Sequence, residues 1–129
     1  MGTILALISI FLSAILYPFG LLFSFIKYFF KRKFITGLKN FDNQMLDIAT
    51  SIDANGNVVC EDLFNLCLIK KDGYLFGNRK ETVSSALGKN QVKNTLTIVG
   101  WVLVYFLWFI DFPYWRKGGH CINSIDELV

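Results

Sequence analysis

The stretch that decides the fold is Ile4-Leu5-Ala6-Leu7-Ile8-Ser9-Ile10-Phe11-Leu12-Ser13-Ala14-Ile15-Leu16-Tyr17-Pro18-Phe19-Gly20-Leu21-Leu22-Phe23-Ser24-Phe25-Ile26, followed directly by Lys27. No charged side chain occurs from Met1 to Ile26. About 20 apolar residues in a helix cross the roughly 30 Å hydrocarbon core of a bilayer, so this run suffices with some tilt. Pro18 and Gly20 interrupt its middle, which predicts a single kinked span, with a re-entrant hairpin of two short legs as the alternative. The run lacks a basic leader and a small-x-small cleavage site, so it reads as a retained anchor at 1–26 and not as a signal peptide.

Outward from the anchor, Lys27, Lys31, Arg32, Lys33 and Lys39 form a basic cluster with Tyr28, Phe29 and Phe30 among them. Cations on one flank of an apolar segment mark its cytoplasmic side, so the N-terminus is expected on the far side of the membrane, outside the cytoplasm. The same cations suit anionic headgroups. A second apolar segment, 95–112, carries Trp101 and Trp108, with Trp115 just beyond. It is expected to span or to lie in the interface, and Asp111 truncates it near the lower length limit for a span. If it spans, the tail 113–129 lies outside the cytoplasm and Cys121 is open to reagents there. The charge count agrees, because 11 Lys or Arg fall between residues 27 and 93 and only Arg116 and Lys117 beyond.

Apolar residues make up 53% of the chain and charged residues 18%, below the usual quarter for soluble domains. The class expected is therefore a small, mainly α integral membrane protein with a helical connecting region at 27–94. Within that region Phe34, Leu38, Phe41, Met45, Ile48 and Ile52 recur at three-four spacing, predicting an amphipathic helix over about 31–52. Asp53-Ala54-Asn55-Gly56-Asn57 reads as a turn. It is not a calcium loop, because Val58 and Phe64 stand where the required glycine and bidentate acid would be. Short helices are expected near 59–69 and 80–88 and an apolar one at 94–111, with a small hairpin at Asn55-Gly56 or Tyr74 to Phe76 as the alternative.

Candidate chemistry is sparse. Cys60 and Cys67 are two helical turns apart, a spacing of core packing more than of metal ligation, and no metal or cofactor is implied. Glu81-Thr82-Val83-Ser84-Ser85 reads as the first turns of a helix ending at Gly88, with hydroxyls bonded to backbone. His120-Cys121 joins the one histidine of the chain to a cysteine after Gly118-Gly119. Adjacent residues seldom aim at a common atom, so a dyad within this dipeptide is not expected. Glu81, Ser85, His120 and Cys121 are the weak catalytic candidates. A span at 95–112 would keep the first pair from the second.

The segments Gly77-Asn78-Arg79-Lys80-Glu81-Thr82-Val83-Ser84-Ser85 and Gly119-His120-Cys121, with Asp42 and Gln44 upstream, resemble a family of short uncharacterised tailed-phage and prophage proteins that carry a Gly-x-x-x-Glu-Thr-x-Ser-Ser and His-Cys pattern. The resemblance covers roughly 41–127. It departs at Lys80, where the family commonly has an acid, at Ala86, where it often has Arg, and in the more apolar segment before His-Cys. What the resemblance implies is phage origin, without a mechanism. The leading expectation is then an inner-membrane protein acting on or within the membrane, lysis-associated in the manner of a holin or antiholin. The alternative is a membrane-anchored virion component or a host-interaction (superinfection-exclusion) protein. A membrane-tethered hydrolase with Cys121 as nucleophile and Glu81 or His120 in support is the third. Expected partners are the lipid bilayer, further copies of the chain or other phage and host membrane proteins, and no nucleic acid.

Overall fold

The computed structural model describes residues 1–30 and 34–125, so Lys31, Arg32 and Lys33 of the basic cluster lie outside the described residues. The fold is mainly helical, in two compact units, Met1–Asp47 and Ile48–Val129. Helices run in the order α1 (Gly2–Phe30), α2 (Phe34–Val59), α3 (Glu61–Cys67), α4 (Val83–Val92) and α5 (Ile98–Ile110), then a 3-10 segment (Phe112–Lys117) and α6 (His120–Asn123).

In the first unit α1 is one continuous helix of 29 residues through Pro18, so the hairpin alternative does not hold, and it runs past the expected end at Ile26. At about 1.5 Å per residue it is about 43 Å long, enough to cross a membrane by length and composition. None of its residues is buried. Two of its hydroxyls are satisfied within the helix, Ser9 donating to the Leu5 carbonyl at 2.8 Å and Ser13 to the Ser9 carbonyl at 2.7 Å. The first half of α2 returns along the end of α1. Phe41 meets Phe25 and Phe29 at ring separations of 5.7 and 6.0 Å, and Gln44 donates to Ser24 Oγ at 3.0 Å.

The amphipathic stripe expected over 31–52 is split in practice: Phe41, Met45 and Ile48 are half-buried, whereas Phe34, Leu38 and Ile52 are exposed. The helix also continues through Asp53-Ala54-Asn55-Gly56-Asn57, correcting the expected turn. Tertiary bonding overrides the local preference, because the Asn57 side chain is fully buried and bonded to Gly77, Asn78 and Glu81. No hairpin forms among the described residues, whose single bridge pairs Ile69 with Leu96.

The core of the second unit gathers Leu68, Ile69, Phe76, Ala86, Leu87, Leu96, Val104 and Cys121 from α4, α5, α6 and the segments that connect α3 to α4 and α4 to α5. Three asparagines within or closing helices build it. Residues 74–81 carry no regular structure, and buried peptide groups need partners. Asn90 accepts from the Tyr74 amide and donates to the Tyr74 carbonyl, both at 2.8 Å. Asn65 does the same for Phe76, at 2.8 and 3.2 Å. Asn57 accepts from the Gly77 amide at 3.0 Å and donates to the Glu81 carbonyl at 2.8 Å. The Asn65 and Asn90 amides each stand in for one residue of a neighbouring strand, whereas Asn57 bridges Gly77 to Asn78 and Glu81.

α5 has 13 residues and is about 20 Å long, short of the roughly 30 Å of a hydrocarbon core. The elements on its two sides, α4 and α6, pack directly on each other. Gly88 makes this approach feasible, because a Cβ there would collide with the Cys121 carbonyl. The expectation that 95–112 spans, with the tail on the far side from Glu81, is therefore corrected: both flanks of α5 belong to one unit.

Candidate functional site

Thr82, the N-cap of α4, accepts from the Ser85 amide at 3.1 Å and so fixes where the helix starts. That start places Glu81 just outside the first turn and turns Ser84 and Ser85 inward, both buried. Glu81 is 1% exposed, and its carboxylate is surrounded. Oε1 accepts from Ser85 Oγ and from Lys89 Nζ, both at 2.7 Å, and Oε2 from the Tyr74 hydroxyl at 2.8 Å. A buried carboxylate without such partners would be strongly destabilising, so these three donors are the condition for its presence. Burial works against the Lys89 ammonium, but the bonds and charges of Glu81 and Tyr74 prevail and hold its pKa above the ordinary value.

The second cluster joins the ends of the family-like pattern. Ser84 Oγ donates to Asp53 Oδ2 at 2.6 Å and lies 3.2 Å from His120 Nε2, while His120 Nδ1 is bonded to Asp111 Oδ2. Gly119 allows this placement. It caps α6 with a φ of 94°, a left-handed conformation that L side chains rarely adopt, and a Cβ there would strike the Trp108 ring.

Serine, histidine and aspartate in this order have the connectivity of a nucleophilic triad. The serine proton goes elsewhere. The one hydroxyl proton of Ser84 goes to Asp53 Oδ2, at 2.6 Å, and is not directed to His120 Nε2, at 3.2 Å. Ser84 is also buried, away from any substrate. The chain Asp53, Ser84, His120, Asp111 is a brace that ties α2, α4 and the C-terminal segment together.

Cys121 is 1% exposed within the core. Burial, reinforced by the negative charge of Asp53, pushes its thiol up to about 12. Nucleophilic cysteines have depressed pKa values and access, so the geometry gives no support to Cys121 as a nucleophile, nor to its expected openness to reagents. Sequence reasoning paired Glu81 with Ser85 and His120 with Cys121, and the structure brings all four into one unit. It missed Asp53, Asn57, Tyr74, Lys89 and Asn90. One available signal was asparagine at helical positions, where it is intrinsically unfavourable and implies a side-chain task.

Of the residues expected at a membrane interface, Lys27 ends the apolar run of α1, whereas Trp101, Trp108 and Trp115 cluster on α5 and the 3-10 segment. Trp108 stacks on Trp115 at 5.4 Å and Trp101 lies 5.8 Å from Tyr105. A small cavity of about 130 Å³ beside them is lined by Tyr105, Trp108, Gln91 and His120. Comparison with family models, with curated proteins and with solved structures gives no match.

Proposed function

We propose that the chain is a phage-type inner-membrane protein that works by contact at the membrane, with the first unit as its anchor and the second as a folded head on the cytoplasmic face. One observation carries the reading: α1 has no charge before Lys27 and none of its 29 residues is buried, so the long apolar surface it leaves uncovered calls for an apolar surrounding. The closed polar clusters of the second unit favour contact over catalysis, since every carboxylate and hydroxyl in them is engaged by another side chain. The partner is another protein of the host membrane, as in superinfection exclusion.

Expression in a bacterial host tests this against the lysis reading. The chain should stay in the membrane pellet after alkaline carbonate washing, with membrane potential and viability unchanged. Release by carbonate would remove the anchor, whereas collapse of the potential would replace contact with a holin-like activity. Orientation is read from Lys117→Cys in a background with Cys60 and Cys67 changed to Ser. An impermeant maleimide should label it only after the cells are permeabilised.

A further inference from the structure

We propose that α5 and the 3-10 segment form a second membrane attachment, lying flat in the headgroup region of a bilayer that contains anionic lipid. The proposal rests on the reading of α1 as an anchor. Ile98, Val102, Tyr105, Phe106 and Phe109 recur along one stripe of α5 and are all exposed, Ile98 at 84% and Phe109 at 67%, and exposed Phe112 extends the stripe. Apart from the Tyr105 hydroxyl, no polar group interrupts it. The opposite face already packs on the core through Gly100 and Val104, so the stripe is a second apolar surface on a helix whose first is used. Contiguous exposed apolar surface of this kind marks an interaction site.

Three features point to lipid as the occupant. The helix is too short to cross a bilayer but suited to lie in its interface, and tryptophan and tyrosine, enriched at that depth, gather on it and on the adjoining segment. Exposed Lys93 stands before one end, and exposed Arg116 follows the other. Between residues 92 and 117 the one acid, Asp111, is bonded to His120, so these two cations suit anionic headgroups. A second copy is a poorer occupant, because pairing two stripes about a two-fold axis sets these cations against one another.

The test uses the whole chain in vesicles of phosphatidylcholine and phosphatidylglycerol. All three tryptophans of the protein lie at 101, 108 and 115, so its tryptophan emission reports on this region alone. Lipids brominated near the headgroup end of the acyl chain should quench that emission at least about twofold more than lipids brominated near the methyl end, as expected of a helix at the boundary. Changing Phe106 and Phe109 together to Ser should remove half or more of the shallow quenching. Deep quenching equal to or above the shallow overturns the proposal in favour of a span. Absence of quenching in a chain that floats with the vesicles overturns it in favour of a face covered by protein or left in water, as does quenching unchanged in the double variant. Failure to float is a separate result, which sinks the anchor and this attachment with it.

Discussion

α4 and α5 are separated by five residues and follow opposite rules. α4 hides polar side chains: Ser84, Ser85 and Asn90 are buried along it, with Glu81 just before it. α5 shows apolar ones, and only Gly100 and Val104 of its 13 residues are buried. The inversion separates two jobs that one amphipathic helix usually combines. Buried hydrogen bonds, which demand specific geometry, give the unit a defined arrangement from a small core. The exposed apolar stripe is left available for a surface outside the unit.

The comparison breaks first if the interior of α4 is dispensable. Changing Glu81 to Ala strands the Lys89 ammonium together with the Tyr74 and Ser85 hydroxyls. The expected loss is about 3 to 5 kcal/mol, the range for one partner removed from a buried ion pair, measured by denaturant unfolding in mild detergent. Asn90→Ala removes the side-chain bonds to Tyr74, Ala86 and Thr95 and should cost about 2 to 3 kcal/mol in the same assay. A loss near zero for either would mean that apolar contacts alone hold this unit.

Alkaline titration sharpens the point. The Cys121 thiol is raised from 9.0 to about 12 in the folded chain, so its contribution is complete below pH 9 and disappears as pH climbs from 9 to 12. Lys89, also raised, loses its contribution in the same direction, above its ordinary value of 10.5. Stability should therefore decline across that window, with a smaller decline in Cys121→Ala. Alkylation of Cys121 in the native protein at pH 8 should be far slower than in denaturant. The smallest effect belongs to α5, where Phe109→Ser should shift unfolding by no more than about 0.5 kcal/mol, because the side chain leaves no cavity. A large shift would show that the stripe packs on protein.

The apolar run before Lys27, the three-four spacing after Phe34 and the short helices near Glu61 and Val83 were legible because each is local: periodicity and caps are written in neighbouring residues. The site was half legible. Glu81, Ser85, His120 and Cys121 stood out as residue types and Ser84 did not, while the partners Asp53, Tyr74 and Asp111 lie 7 to 31 residues from the groups they bond and follow no periodic rule. The same long-range bonding turned 53–57 from the turn that its composition favours into helix. The length of 95–112 also misled, because segment length alone does not reveal that Gly88 lets α6 pack on α4.

The helical state of Asn55-Gly56 bears on how the protein ages. In a loose turn, the Gly56 amide nitrogen can attack the Asn55 side-chain carbonyl, forming a succinimide that opens to aspartate or isoaspartate. Here α2 runs through the pair, and the Gly56 carbonyl accepts from the Cys60 amide at 3.0 Å. The helix keeps the Gly56 amide in its own bonding ladder and away from that attack. Deamidation at Asn55 thus requires this end of α2 to open. The slow mass gain at that residue, followed over days, becomes a cumulative record of how often it does so.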